Sequence, residues 1–305
     1  MKKKSFLLSF AAAASLAAFL LFGCGKKGPL SVAPYLSLPA PTALSASQAK
    51  DILALHWSFA GKHIRFFMVE RRQEGGAFAE IADPKHTSLA DLIDPGKQYE
   101  YRIRAISKVD VPGYPAYIRI KTIVPPGPPQ GLGFSIQTDR VQIKWASPPA
   151  IGNEKILFQV YRQTGGPGAG AALVTPAPVQ ETCFTDMPEP RQIVTYKIVS
   201  FINGPVPCEG DAASVSITPG DYVPSKAAQP QGAVISNGVM LVWAPNPETW
   251  VQGYRVYKET NGAFRPVGNR TIPSFLDLGS RSGRYRVTAL GPVKESPPSD
   301  PVSVR

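Results

Sequence analysis

The sequence predicts an all-β chain: three β-sandwiches in tandem behind an N-terminal export segment. Three observations predict it. Glycine supplies 27 and proline 32 of the 305 residues, while 43% are hydrophobic. Turns are therefore dense, yet enough apolar surface remains to bury a core, which a disordered chain lacks. Strand-like segments ending in tryptophan recur at Trp57, Trp145 and Trp243, 88 and 98 residues apart. A second strand signature opens on Tyr101, Tyr196 and Tyr285, 95 and 89 residues apart. A repeat of about 90 residues holds about seven short strands, the size of one sandwich.

The N-terminus comes first. Lys2, Lys3 and Lys4 precede Phe6 to Phe22, a run of 17 uncharged residues. That is the plan of an export signal. As a retained helix the run would reach about 26 Å, short of the roughly 30 Å hydrocarbon core. Leu21-Phe22-Gly23-Cys24 resembles the lipobox of bacterial lipoproteins, with a bulkier Phe22 than usual. The resemblance implies cleavage before Cys24, so that residues 1–23 are a signal peptide. It also implies three acyl chains on Cys24, which anchor the chain in membrane lipid far more firmly than one. Lys26 and Lys27 then sit at headgroup level. Gly25 replaces the aspartate that marks inner-membrane retention, which implies the cell outer membrane. The alternative is a leftover, unmodified cysteine. The wider string CGKKGPL, Cys24 to Leu30, is similar to the N-terminal motif of LptM-type lipopolysaccharide-translocon lipoproteins. That likeness implies a role as accessory to translocon assembly; a generic lipoprotein N-terminus is the other reading. Residues 24–38 form the lipidated N-terminus and a flexible spacer.

Each repeat then follows one plan. In RVQIKW, Val141, Ile143 and Trp145 alternate with Gln142 and Lys144, the period of a strand with one buried face. ILALHW and GVMLVW hold the same place. Ten to thirteen residues later comes an aromatic-x-Val strand: Phe67 to Val69, Phe158 to Val160, Tyr254 to Val256. GGAF (75–78) and NGAF (261–264) are hairpin turns, where glycine or asparagine supplies positive φ. YRIRA, YKIVS and YRVTA follow, and each repeat closes on a short strand. VPPGPPQ (124–130) and PGDYVPSKAAQPQ (219–231) are the joints, the first of them stiff. The expected domains are 39–124, 125–220 and 221–305.

These repeats resemble fibronectin type III domains, which are immunoglobulin-like sandwiches. The tryptophan of strand B, the aromatic-x-Val of strand C and DPGKQYEYRIRA carry the resemblance. It implies a tyrosine corner at Tyr99. Val194 and Gly283 stand at the aligned positions, so the second and third corners need another support. No Arg-Gly-Asp occurs.

Of the three cysteines, a lipidated Cys24 leaves Cys183 and Cys208 as an even pair in one repeat. Cys183 is expected in strand E and Cys208 in the F–G loop. A disulfide there would close a 26-residue ring and stabilise by roughly 3 kcal/mol in an oxidising compartment; two separate thiols are the alternative.

No catalytic constellation is present. His56, His63 and His86 are the only histidines, and none stands at metal-chelating spacing with a third ligand. No catalytic or phosphate-binding motif occurs. The sequence therefore points away from an enzyme, and toward no cofactor and no metal. Asp91, Asp94, Asp186 and Asp277 precede strand F and suit turns. The net charge is +11, spread without a block of five like charges, which argues against nucleic acid.

Exposed aromatics are the remaining candidates for ligand binding. Trp250 precedes strand C of the third repeat, off the core pattern. Tyr114 and Tyr117 lie in or near the F–G loop of the first. Such rings either stack on sugars or cap sandwich ends. Met240 and Val242 fall on the solvent face of strand B, so either a neighbouring domain or a partner covers them. The expected function is non-catalytic: a lipoprotein displaying sandwich modules to an envelope protein, with a peptidoglycan or other polysaccharide ligand as the alternative.

Overall fold

The computed structural model describes residues 38–166 and 168–305. The expected signal peptide, Cys24, the CGKKGPL string and the expected spacer as far as residue 37 lie outside the described residues.

The strands fall into three sets of seven. The first is β1 (Thr42–Ala49), β2 (Ile52–Ser58), β3 (Ile64–Gln73), β4 (Ala79–Ala82), β5 (Ser88–Leu92), β6 (Gln98–Ser107) and β7 (Ala116–Lys121). The second is β8 (Gln130–Ile136), β9 (Val141–Ala146), β10 (Ile156–Thr164), β11 (Ala171–Leu173), β12 (Cys183–Asp186), β13 (Val194–Ile202) and β14 (Cys208–Ile217). A 3-10 turn at Pro219–Asp221 leads to the third: β15 (Gln231–Ile235), β16 (Gly238–Val242), β17 (Gly253–Thr260), β18 (Ala263–Arg270), β19 (Ser274–Leu278), β20 (Gly283–Leu290) and β21 (Val302–Val304).

One strand order recurs. The first, second and fifth strands of a set stand together; so do the fourth, third, sixth and seventh. The second set forms β12-β9-β8 and β11-β10-β13-β14, and the third forms β15-β16-β19 and β18-β17-β20-β21. The first set forms β4-β3-β6-β7, while its β1-β2-β5 continue a larger sheet. This is the three-plus-four order of fibronectin-type, immunoglobulin-like sandwiches, and the all-β expectation is met.

Alternation along the strands builds the cores. Val141, Ile143 and Trp145 are buried, whereas Lys144 is exposed. They meet Phe158, Val160, Tyr196 and Ile198 in the second sandwich. Val239, Leu241 and Trp243 meet Tyr254, Val256, Tyr285 and Val287 in the third. Each strand-B tryptophan rests edge-on against the strand-C aromatic. The ring centroids are 5.4 Å apart for Trp57–Phe67, 5.5 Å for Trp145–Phe158 and 5.3 Å for Trp243–Tyr254. Such pairs add about 0.5–1.5 kcal/mol beyond area burial. The NGAF turn is a two-residue hairpin with Asn261 at φ 53° and Gly262 at φ 77°, the left-handed pair that matches strand twist.

The chain divides into two compact units. The first holds the described residues up to Leu44, with His56–Leu89 and Glu100–Ile118; the second holds Ser45–Leu55, Ala90–Tyr99 and Arg119–Arg305. Within the second unit, the end of β1 pairs in parallel with the start of β14, Gln48 with Cys208 and Ala49 with Glu209. The result is one seven-stranded sheet, β11-β10-β13-β14-β1-β2-β5, running from the second repeat into the first. Gln48, 2% exposed, fastens it. Its backbone N–H donates to Pro207 O at 2.8 Å. Its side-chain amide donates to Ile123 O at 2.7 Å and accepts from Ile123 N at 2.9 Å. Lys50 adds a backbone bond to Glu209 O at 3.0 Å and an ion pair with Asp211 at 2.5 Å. Gly210 permits the close approach of the proline joint: a Cβ there would stand 2.1 Å from Pro126 O.

Candidate functional site

The recurrent aspartates are structural. In the second repeat the buried Tyr196 donates its hydroxyl to Asp186 at 2.7 Å, and Arg162 pairs with the same carboxylate at 2.9 Å. In the third, Tyr285 donates to Asp277 at 2.7 Å, Lys258 pairs with it at 2.9 Å, and Ser280 donates at 2.7 Å. Burial pushes the Asp277 carboxyl up, but the bonds from Lys258, Tyr285 and Ser280 outweigh it and hold it below the usual carboxylate range. Asp186 behaves alike, with Tyr196 and Arg162 outweighing burial. A base on the third strand, an acid on the fifth and a tyrosine on the sixth thus lock the second and the third sandwich. The spacing was visible in the sequence; the partnership was not, because it joins three strands far apart in the chain.

The tyrosine corner forms as expected in the first repeat: Tyr99 is 2% exposed and its hydroxyl accepts from Asp94 N at 2.9 Å. At the aligned places Val194 is buried in the second core, and a Cβ on Gly283 would meet the Tyr285 hydroxyl at 2.7 Å.

The cysteine pair requires correction. Cys183 and Cys208 are free thiols, not a disulfide. Cys183 is exposed on β12, where it pairs with Lys144 of β9. Cys208 is not in a loop: it opens β14, fully buried and paired with Ile202 and Gln48. The two stand on different sheets. Burial, aided by the charge of Glu209, pushes the Cys208 thiol up to about 11, which makes it a poor nucleophile.

The candidate aromatics divide. Tyr114 and Tyr117 are 63% and 53% exposed. Tyr117, on β7, lies 6.2 Å from Phe78, the aromatic of the GGAF turn, and Arg72 and Arg102 stack over the Phe78 ring at 4.6 and 4.4 Å. Both arginines are also ion-paired, Arg72 with Glu100 at 2.6 Å and Arg102 with Glu70. The third repeat repeats the device: Arg286 stacks on Phe264 of NGAF at 4.3 Å, and Arg284 pairs with Glu259 at 3.3 Å. The signs of that ion pair are exchanged between the repeats.

Trp250 is no free loop aromatic. It is half-buried against the second core and edge-on to Tyr222 at 5.4 Å. Tyr222, 3% exposed, belongs to the second core; Ala227, five residues on, belongs to the third. The intervening joint is tied down by Ser225 N to Glu248 Oε1 at 2.8 Å and by Asn246 Nδ2 to Ser225 O at 2.7 Å. Two clefts, of about 340 and 360 Å³, open beside Trp250.

Met240 is half-buried and Val242 is 47% exposed; Met240 pairs with Leu276 of β19, and Leu278 there is 68% exposed. Val242 and Leu278 are thus open to solvent among the described residues, whereas Met240 is partly covered. Among the described residues no group of His, Cys, Asp or Glu could hold a metal ion, and no helix is long and apolar enough to cross a membrane.

Fold and surface together define a tandem β-sandwich protein whose polar clusters serve to lock strands. Similar solved structures are tandem fibronectin type III domains. One is the FN1–FN3 segment of chicken CNTN1: 18% identity, TM-score 0.27, covering 87% of this chain and 98% of that one. Another is a two-domain segment of chicken tenascin: 20% identity, TM-score 0.27, covering 58% and 98%. At these values the assignment of the fold rests on the strand order itself. No protein-family model matches the chain. No curated protein matches it.

Proposed function

We propose that this protein is a non-catalytic lipoprotein of the cell outer membrane that holds fibronectin-type modules out to an envelope protein. The observation that carries the display reading is the fastening of successive repeats. Proline joints alone would leave the modules to swivel. Here Gln48, Lys50 and β14 bind the first joint, and Tyr222, Trp250 and Asn246 bind the second. Surfaces of the second and third repeats, which belong to one compact unit, suit a scaffold when held together in this way, because less conformational entropy is lost on binding. The lipobox resemblance supplies the anchor, through acylated Cys24.

The test is fractionation with crosslinking. Wild-type chain should sediment with outer-membrane vesicles, carry acyl chains on Cys24 and crosslink to an envelope protein. Cys24→Ser should pass into the soluble fraction. Equal sedimentation of the two forms, or unacylated wild-type protein, would refute the anchor. An anchored chain that crosslinks to no protein would refute the display.

A further inference from the structure

We infer that the paired clefts around Trp250 form a binding site for an uncharged sugar chain. The two clefts share Glu189, Pro190, Thr249 and Trp250, so they adjoin across the indole. Each has the size of a small-ligand pocket, which runs from roughly 300 to 1,000 Å³. Two such spaces side by side suit an elongated ligand with one unit in each.

The lining selects the chemistry. Trp250, Pro188, Pro190 and Pro292 present flat, stiff, apolar surfaces. The C–H faces of a sugar ring stack on such surfaces. Glu189, Arg191 and Gln252 add planar polar groups at the rim, which can bond two neighbouring hydroxyls at once. The charges balance. Arg140 is engaged by its neighbour Asp139 through two bonds of 2.7 Å, and Glu189 offsets Arg191. A nucleic acid or another polyanion needs an excess of cations, and none is offered. An extended peptide adding as a strand needs a row of backbone donors, and the proline walls lack N–H groups.

The site is also held in place. Tyr222 backs the indole at 5.4 Å. Asn246 N donates to the Tyr254 hydroxyl at 2.8 Å, and the bonds of Ser225, Asn246 and Glu248 fix the loop on which Trp250 stands. A platform already in position loses little entropy when a ligand arrives.

Saturation-transfer NMR on the full-length chain tests this with cellotetraose, chitotetraose and maltotetraose as probes, and with a proline-rich decapeptide and heparin as counter-probes. At least one of the three sugars should receive saturation at its ring C–H protons. Glu189→Gln and Gln252→Ala lie at the rim and should leave the melting curve unchanged while weakening that binding at least fivefold. No transfer to any of the three sugars overturns the proposal, as does equal binding by both variants. Binding of the decapeptide or of heparin in their place overturns it too. The outcome is independent of membrane anchoring, so this site and the lipoprotein reading can fail separately.

Discussion

Tyr285 and Asp277 show at residue scale how these sandwiches manage polar groups in their interiors. The tyrosine ring is fully buried, yet its hydroxyl reaches a carboxylate that also serves Lys258 and Ser280. Removing that hydroxyl leaves a half-buried acceptor short of one donor. Tyr285→Phe should lower stability by about 1–3 kcal/mol in urea unfolding. Acid should undo the same interaction. The folded carboxyl of Asp277 titrates below its ordinary value of 3.8, so its contribution is complete above that value and is lost as pH falls through the depressed one. The stability gap between wild type and Asp277→Asn should therefore be widest at pH 7 and narrow below about pH 4. A gap unchanged between pH 7 and pH 3 would contradict the assignment.

At the scale of elements, the decisive contact is between β1 and β14. Gln48 substitutes for a strand residue: its side-chain amide exchanges two hydrogen bonds with Ile123, as paired backbones do. Gln48→Ala should speed amide exchange at Ile123 and Lys50 by at least tenfold while sparing amides in the middle of β10 and β13. Uniform protection in the variant would show that the joint does not depend on this side chain. Little of this was legible beforehand. The strands themselves were, because Val141-Ile143-Trp145 and its counterparts write the buried face into every second residue. The β1–β14 pairing joins backbones about 160 residues apart and leaves no side-chain period to read. Cys208 was misplaced for a related reason: β14 begins earlier than its alternating stretch, at a residue that pairs with Gln48 of another repeat as well as with Ile202 of its own.

On the scale of the whole molecule, Trp250 carries the strongest claim. The sequence marked it as lying off the core pattern, and the structure places it on the second core and beside both clefts. Its role at the joint was hidden because the partner, Tyr222, sits in a segment that reads as linker. Trp250→Ala should cost about 2 kcal/mol, less than the full loss of a buried tryptophan. It should also open the joint to trypsin at Lys226, whose ammonium now pairs with Asp300 at 2.9 Å. An unchanged cleavage rate would mean that the loop holds without its indole.

The sheet shared by β1 and β14 also governs how this chain can be taken apart. Excising the first repeat at the proline segment would strip the end of β1 of its partners on β14 and leave the N–H groups of Gln48 and Lys50 without the carbonyls that they now reach. Such an open margin recruits whatever strand drifts past, its own twin first of all. Excised copies of the opening repeat should therefore clump or swap arms, and shuffling that repeat into other proteins would require its border to be rebuilt with charge or proline.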